Sequence, residues 1–356
     1  MPLIRDFFPG GNTSVGFYSY YDYIIEKNAN RIFIIKGGPG VGKSSLMKKI
    51  GNNIYNLGYD IEYHHCSSDN NSIDGLVIPK LKVAMIDGTA PHIVDPKNPG
   101  AVDEIINLGD YWDKEAMELN KEQILKVNND VGKCFKRAYR YFKSAKPIIE
   151  DIIEKNSEAM DFGKINLMTN ELISEIFMGR VLSDKKGKIR HLFGSAYTPN
   201  GHIDYTNSIL KKSTKVYKIL GDYGTGRTIL FQKIYNKAIE YGMDVEVFHT
   251  PLIPEKIESI YIKDLKIGLT ISEQYDEKKY PSMNLLEYIN KQMIDYHKID
   301  EDKTLLNSLI HKGIDNIKEA KKIHDDLEKY YINNINFDQM NELRKELVNR
   351  ILKYNK

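Results

Sequence analysis

The sequence predicts an α/β protein made of two copies of one unit, each with a parallel sheet covered on both faces. Three observations support this prediction. Short apolar segments typical of strands alternate with segments of helical spacing, the same series of segments occurs twice, and each series ends in a long helical tract. With 356 residues, the chain is long enough for two domains at roughly 150 residues each.

The duplication is clearest in a segment of each copy that aligns with the other without gaps. Residues 31–66 align with residues 215–250 at an offset of 184 and are identical at 12 of 36 positions. Composition alone would give roughly two or three identities. Shorter matches extend the alignment in both directions, so we expect one domain over residues 1–188 and a second over residues 189–356.

Within the first copy, residues 32–35 predict a strand and residues 44–57 a helix that ends at Gly58, a favourable C-cap residue. Residues 61–65 and 83–86 predict two further strands. Apolar residues then recur every three or four positions, which predicts a helical hairpin or small bundle over about residues 102–180. The equivalent tract of the second copy covers about residues 284–355.

The matching segments 5–16 and 190–201 suggest a question of topology. If segment 190–201 gave its strand to the preceding copy, the N-terminal segment would have to cross over and complete the second copy. A strand swap between the copies is therefore one hypothesis.

A glycine-rich loop lies between the first strand and the first helix. Its residues match the pattern G-x-x-x-x-G-K-[ST] in full: Gly37, Gly38, Pro39, Gly40, Val41, Gly42, Lys43 and Ser44, followed by Ser45. Such glycines let backbone N–H groups surround phosphate oxygens at the positive end of the helix dipole. We expect a nucleotide here, with Lys43 reaching its β- and γ-phosphates and Ser44 ligating Mg²⁺.

This loop resembles that of the P-loop NTPase superfamily, and the resemblance implies a three-layer sandwich, bound ATP and a Walker-B acid after a neighbouring strand. Asp87 follows the apolar residues 83–86 and fits that role as a second metal ligand beside Ser44. An ordinary buried strand that ends in an Asp-Gly turn is the alternative.

The second copy serves as an internal control. It keeps Gly221, Gly224 and Gly226, but Lys43 is replaced by Arg227 and Asp87 by Ile271. We expect this second loop to bind nucleotide weakly or not at all and to act as a structural or regulatory partner. An arginine finger that reaches the other site is an alternative for Arg227.

The same control ranks the remaining candidates. His65 is matched by His249 in the degenerate copy, which favours a structural role, whereas Asp69, Asp87 and His92 have no equivalent there. Asp69 is a candidate base for an acceptor hydroxyl and His92 a candidate γ-phosphate sensor; a solvated loop position is the alternative for each.

The position after Asp87, where many P-loop ATPases carry a water-activating glutamate, is Gly88. The chain also resembles little-characterised bacterial tandem P-loop proteins that are described as ATPase-like or nucleotide-kinase-like, through GGPGVGKSS, the stretch from SSDNNSIDGLVIP to AMIDGTAPHIVDP, and NPGAVDEIINLGDYWD. Two functions follow as expectations. One is a slow ATPase or nucleotide-dependent switch acting on a protein partner; the other is a kinase that transfers the γ-phosphoryl to a small-molecule or nucleotide acceptor.

Composition and charge argue against several other classes of protein. A formal net charge of +2 gives no general attraction to nucleic acid. The basic cluster Lys185, Lys186, Lys188 and Arg190 is interpreted as a solvated linker, with a contact to nucleic acid as the alternative. No apolar run is long enough for a membrane span, and Arg5 and Asp6 interrupt the start where a signal peptide needs an apolar core, so we expect a cytoplasmic protein. Cys66 and Cys134 are expected to be unbridged.

The long helical stretches 114–155 and 302–331 carry mixed charge along apolar stripes. Packing against the parent domain is the favoured interpretation. Pairing of the two copies or a seam between oligomer subunits are the alternatives.

Overall fold

The computed structural model describes residues 2–90 and 93–355. The first half of the chain contains strands β1 (Ile4–Phe7), β2 (Gly10–Thr13), β3 (Gly16–Ser19), β4 (Arg31–Lys36), β5 (Ile61–Cys66), β6 (Asp69–Ile78), β7 (Val83–Asp87) and β8 (Asp103–Asn107). Its helices are α1 (Lys43–Asn56), α2 (Lys114–Leu119), α3 (Lys121–Glu158) and α4 (Phe162–Ile176).

The second half contains strands β9 (Ile189–Phe193), β10 (Ser195–Thr198), β11 (Gly201–Asp204), β12 (Lys215–Leu220), β13 (Val245–His249), β14 (Ile257–Ile262), β15 (Ile267–Thr270) and β16 (Ser282–Asn284). Its helices are α5 (Thr206–Ile209), α6 (Arg227–Glu240), α7 (Tyr296–Ile332) and α8 (Phe337–Leu352). The predicted strands and first helix are confirmed to within a few residues. The first helical tract begins later than predicted, because β8 occupies the β-branched stretch that follows a turn at Gly100.

Two six-stranded sheets of the same topology form the core of the α/β fold. The first has the order β1-β5-β6-β7-β4-β8 and the second β9-β13-β14-β15-β12-β16. Every strand of one sheet thus has its counterpart at the same place in the other. This repetition of strand order supports the duplication that the sequence alignment indicates.

Each sheet is mixed, and the prediction of a purely parallel sheet is wrong in this respect. In the first sheet β6 runs antiparallel to β5 and β7, whereas the other pairs are parallel. The reason is the short link between β5 and β6, where only Ser67 and Ser68 separate the strands. A parallel crossover needs a dozen or more residues, and a link of two residues therefore reverses the chain.

The two faces of the first sheet are covered differently. On one face, alternate residues such as Phe33, Val83 and Met85 pack in one core with residues of α1. On the other face, Ala84 and Ile86 pack against the segment around Tyr21 and Ile24, which includes a 3₁₀ turn rather than an α-helix. Helices therefore cover one face of this sheet, and an irregular segment covers the other.

The helices that follow the long tracts are exchanged between the copies. Leu343, Leu347 and Ile351 of α8, at the end of the second copy, join the core formed by α1 and the first sheet. In the same way α4, from the first copy, places residues including Ile165 and Leu172 in the core of α6 and the second sheet. Each sheet is thus completed by the C-terminal helix of the other copy.

The long helices α3 and α7 carry the chain across from one sheet to the other. They pack along each other in antiparallel fashion, with Lys155 near the end of α3 bonded at 2.6 Å to Asp302 near the start of α7. At their crossing, a Cβ on Gly313 would lie 2.3 Å from the ring of Phe142. These tracts therefore pair the two copies, which was the alternative interpretation, and the favoured contact with the parent domain is the smaller one, made by α3 with β2 and by α7 with β10.

The strand swap proposed from the sequence is also wrong. Strand β1 pairs in parallel with β5 of its own copy, with Ile4 opposite Ile61, and β9 pairs in parallel with β13 of its own copy. The N-terminal strand therefore stays in the first sheet, and the elements that cross over are helices.

A buried ionic cluster joins the two sheets where β1 and β9 meet. Arg5 and Arg190 each bond to both Glu62 and Glu246, with Arg190 at 2.8 Å and 3.2 Å. Burial disfavours the charged form of Glu246, but the neighbouring Arg5 and other cations outweigh it and lower its pKa to about 2. Arg190 is therefore part of the interface between the copies and not of a solvated linker.

Both cysteines are free, as predicted. In the part of the chain that the structure describes, no helix combines the length and the apolar character that a membrane span requires.

Candidate functional site

The first glycine-rich loop (residues 37–44) connects β4 to α1. Gly40 and Gly42 adopt left-handed φ values of 72° and 86°, which residues with a Cβ rarely adopt. Gly42 is also the N-cap residue of α1, and because it has no side chain it offers no capping group to the first N–H groups of the helix. The backbone thus provides the donors and the helix dipole that favour an anion.

Lys43 lies inside this loop. Its Nζ donates to the carbonyl oxygens of Gly37 and Gly38 at 2.7 and 2.9 Å and lies 3.6 Å from Oδ2 of Asp87. Thr89 closes the other side, because its hydroxyl donates to the Gly37 carbonyl and its N–H to Oδ1 of Asp87. The structure therefore brings together Lys43 and Asp87, two residues that the sequence predicted to share a site.

Oxygen donors gather on the same side of the loop. Ser44 Oγ accepts a bond from the Ile73 N–H at 3.0 Å, which fixes the start of α1 against β6. Asp74, the next residue on β6, stands across from Asp87 in the antiparallel register that pairs Gly75 with Ile86. A hydroxyl and two carboxylates are the hard donors that Mg²⁺ prefers.

Burial shapes the charges of the two carboxylates. It raises the pKa of Asp87, an effect that the nearby Lys43 opposes. It raises the pKa of Asp74 to about 6, against the hydrogen bond that the Tyr21 hydroxyl makes to this carboxylate at 2.6 Å. Within residues 2–90 and 93–355, no three His, Cys, Asp or Glu residues form a metal site of their own. Mg²⁺ bound here would therefore need phosphate oxygens and water as further ligands.

Gly88 has no space for a side chain. A Cβ at this position would lie 2.5 Å from a methyl group of Ile34 and 2.8 Å from the carbonyl oxygen of Val94. Lys36 holds the same turn, because its Nζ donates to the carbonyls of Gly88 and Val94 at 2.8 Å each. The absence of a glutamate after Asp87 is thus built into the packing of the turn.

The structure places the remaining candidate site residues in different surroundings. Asp69 bonds to Ser72 and lies 3.4 Å from Lys321 of α7, so it belongs to the rim of the site. His65 bonds to Asp6 at 2.9 Å and to the Asn70 carbonyl, a pattern that fits the structural role expected for it. His92 lies outside the described residues.

The C-terminal end of α7, which belongs to the second copy, covers the first loop. A Cβ on Gly38 would lie 2.3 Å from the ring of Tyr331, and one on Gly40 would lie 2.9 Å from the Glu328 carbonyl oxygen. One and two turns earlier, His324 and Lys321 extend the same face towards Asp69. The candidate site is therefore composite, with its loop from the first copy and its cover from the second.

The second glycine-rich loop (residues 221–228) has the same backbone but different side chains. Gly224 and Gly226 have φ values of 81° and 92°, close to those of the first loop. Arg227 places its guanidinium over the ring of Tyr223, in its own loop, and burial lowers its pKa. Arg227 thus packs within the second copy instead of reaching the first site. Asp222 brings a carboxylate to the place of Gly38.

The end of α3 covers this second loop as the end of α7 covers the first. Asn156 donates to the Tyr223 carbonyl at 2.7 Å, and Ser157 donates to the Gly224 carbonyl at 3.1 Å. A Cβ on Gly224 would lie 2.5 Å from the Ile153 carbonyl oxygen. The second loop is thereby fixed to α3 by hydrogen bonds and close packing.

Sequence reasoning missed the α7 residues at the first site. A signal was present, since α3 and α7 align at an offset of 175 and Ala145, Lys146 match Ala320, Lys321. In that register His324 stands where α3 has Ile149, an exchange of an apolar for a polar residue on one face. The sequence does not show that the helices are exchanged, however, and so it does not place this face of α7 against the first loop.

Comparison with known proteins finds one partial similarity. No family model matches the chain, and no solved structure matches it. A threonine–tRNA ligase of Desulfatibacillum aliphaticivorans is 25% identical over 166 residues, which are 46% of this chain and 24% of that protein. The match thus spans about a quarter of the length of the curated relative.

Proposed function

We propose that the chain binds ATP with Mg²⁺ at the first glycine-rich loop and acts as a slow ATPase or nucleotide-dependent switch, whereas the second loop serves as a structural partner. The observation that carries this proposal is the environment of Lys43. Its ammonium group lies within the loop, held by the carbonyls of Gly37 and Gly38 and by Asp87. An arriving β- or γ-phosphate would replace these partners with a stronger charge-assisted interaction.

The donors around Lys43 fit the charges of the proposed ligand. Backbone N–H groups at the start of α1 favour phosphate oxygens, and Ser44 and Asp87 supply oxygens for the metal that accompanies a nucleoside triphosphate. When bound, Mg²⁺ would neutralise charge on the phosphate oxygens. Lys43 would orient the phosphates, and Asp87 would hold the metal from the side of β7.

Slow turnover follows from Gly88. The usual water-activating glutamate cannot be accommodated after Asp87, because a side chain there would meet Ile34 and the Val94 carbonyl. A bound ATP would therefore persist longer than in an enzyme that positions its attacking water. The helix α7, which touches the loop at one end and α3 along its length, offers a route by which a bound nucleotide acts on the second copy.

The absence of that glutamate also fits the second candidate, transfer of the γ-phosphoryl to a small acceptor. The two functions differ in what they release. A switch or ATPase yields phosphate in water alone, whereas a kinase turns over only when its acceptor is present.

The test is titration of the full chain with ATP and Mg²⁺ by calorimetry, using Lys43→Ala and the matched Arg227→Ala. We expect Lys43→Ala to weaken ATP binding by about 100-fold, the effect of losing a charged hydrogen-bond donor to phosphate. Arg227→Ala should leave the affinity unchanged. Unaltered binding in Lys43→Ala would refute the site.

A second measurement separates the two candidates. ADP release is followed with and without a metabolite library, and Asp87→Ala serves as the variant without the metal ligand. Turnover that requires one metabolite identifies a kinase; slow release without any acceptor supports the ATPase.

A further inference from the structure

Near the first loop, α7 carries two polar residues at positions where α3 has isoleucines. At an offset of 175, Ile149 and Ile153 of α3 correspond to His324 and Glu328 of α7. The offset is structurally sound, because buried residues coincide along both helices: Phe142 with Ile317, Ala145 with Ala320 and Ile152 with Leu327. Polar groups thus replace apolar ones at these two positions, whereas Lys321 itself is matched by Lys146 of α3.

Lys321 is the cation of this face. Its Nζ lies 3.4 Å from Oδ2 of Asp69 and is also paired with Asp325, one turn along α7. Its side chain is 24% exposed. Lys321 is therefore held at the rim of the site by an acidic partner from the first copy.

The position of Asp69 tells which end of a nucleotide Lys321 would face. Asp69 begins β6, and four residues later the N–H of Ile73 donates to Ser44 Oγ. Ser44 is the loop's candidate metal ligand, so this segment runs along the side where the metal and the outermost phosphate would lie. The α- and β-phosphates would lie deeper, against the loop backbone.

We propose that Lys321 is a γ-phosphate contact delivered by the second copy, so that α7 distinguishes bound ATP from bound ADP. The inference rests on the proposed binding of ATP at the first loop. With ADP, Lys321 keeps its pairing with Asp69; with ATP, the γ-phosphate competes with Asp69 for the ammonium group. Because α7 also packs along α3, this exchange of partners couples the nucleotide to the junction of the two copies.

The charges that face Lys321 are consistent with such an exchange. Asp69 and Asp325 are single carboxylates, whereas a Mg²⁺-bound γ-phosphate presents several oxygens of higher charge. Glu328, half-buried on the same face, has its pKa raised by burial, and Lys321 and Lys43 act against that shift. Both lysines therefore act electrostatically on the same point of the rim, from opposite halves of the chain.

The test is the ratio of the dissociation constants for ADP and ATP, each with Mg²⁺, measured on the full chain. We expect Lys321→Ala to lower this ratio about tenfold, because the lost contact is made by the γ-phosphate alone. Lys321→Arg keeps the charge and should retain part of the preference. Two controls should leave the ratio unchanged: Lys322→Ala, the exposed neighbour on α7, and Lys146→Ala, the matched position over the second loop.

Asp69→Asn provides a test of opposite sign, since it frees Lys321 and should raise the preference for ATP. An unchanged ratio in Lys321→Ala, or equal losses for ADP and ATP, would overturn the inference even if Lys43→Ala abolishes binding of both. If the wild-type chain binds neither nucleotide, or if Lys43→Ala binds both normally, the proposed function itself fails and the inference fails with it. A thermal melt of each variant verifies that it is folded.

Discussion

The two glycine-rich loops share a backbone and differ in nearly every group that could act on a phosphate. The left-handed glycines and the helix that follows are the same in both. The first loop is surrounded by Lys43, Asp87 and the charged face of α7, whereas the second has Arg227 stacked on its own Tyr223. A duplicated loop can therefore keep its conformation while the side chains around it change.

The difference extends to how each loop is fixed. In the second, Asn156 and Ser157 of α3 bond to loop carbonyls and so tie the loop to the helix. Over the first, the equivalent residues are Tyr331 and Ile332, which pack against glycines. These two positions therefore contact the first loop by packing and the second by hydrogen bonds.

Among the tests of this comparison between the two loops, the largest expected effect is on stability. It concerns two acidic residues at equivalent positions of the two copies, Asp74 and Glu258. Burial raises the pKa of Glu258 to about 8, with Asp204 adding to the shift. In the unfolded chain this group ionises near 4.5, so between these values the native state holds a proton that the unfolded state has lost. Its contribution to stability is therefore full at low pH and is lost as pH rises towards 8.

We expect the difference in unfolding free energy between wild type and Glu258→Gln to change by roughly 4 kcal/mol between pH 5 and pH 8. Other groups titrate alike in the two proteins and cancel. In Asp74→Asn the corresponding change should be smaller and confined below about pH 6, because the pKa of Asp74 is raised only to about 6. Denaturant titrations across this range measure both, and equal pH profiles for wild type and Glu258→Gln would contradict the burial of this acid.

The exchanged helices give the next effect. Leu347 of α8 and Leu172 of α4 are equivalent at the offset of 175, are fully or nearly fully buried, and lie in the cores of opposite sheets. Either Leu→Ala change should cost about 3 kcal/mol through lost burial and a residual cavity. Hydrogen exchange should rise in α1 for Leu347→Ala and in α6 for Leu172→Ala. The reverse pattern would show that each helix packs on its own copy.

This exchange marks the boundary of what the sequence could predict. The alignment of residues 31–66 with 215–250 located both loops, the strands around them and the replacement of Lys43, and the same offset carried further located the replacement of Asp87. The apolar spacing of α4 and α8 showed that one face of each is buried, but a stripe of Leu and Ile fits either sheet equally well. Which sheet it meets depends on the direction of α3 and α7, and that depends on contacts distant in sequence.

The mixed sheet and the composite site have similar origins. β6 begins two residues after β5, but its first four residues are polar, so the sequence pattern does not predict a strand there. In the sequence, Lys321 and His324 belong to a charged helical face, and such a face is usually solvated. Their proximity to Asp69 emerges only after the helices have crossed.

The crossing of α3 and α7 provides a smaller effect, which two glycines in different surroundings test. Gly313 packs on Phe142, and a Cβ would come within 2.3 Å of its ring, whereas a Cβ on Gly132 of α3 would meet no atom within 4 Å. Gly313→Ala should therefore destabilise by about 2 kcal/mol through overpacking. Gly132→Ala should stabilise by about 0.5–1 kcal/mol, because alanine favours the helix. Thermal unfolding of both variants tests the crossing; stabilisation by both would place Gly313 away from Phe142.

The smallest effect addresses the second loop directly. Asn156 is buried and donates to the Tyr223 carbonyl at 2.7 Å, so Asn156→Ala removes that bond and leaves the carbonyl without this donor. A loss of about 1 kcal/mol is expected, the usual net value of one hydrogen bond. Amide hydrogen exchange at residues 221–226 should increase. Amide hydrogen exchange at residues 37–42 and any binding of ATP should not change. If Asn156→Ala instead altered ATP affinity as strongly as Lys43→Ala, the second loop would be a working part of the nucleotide site, and the role of a structural partner would be refuted.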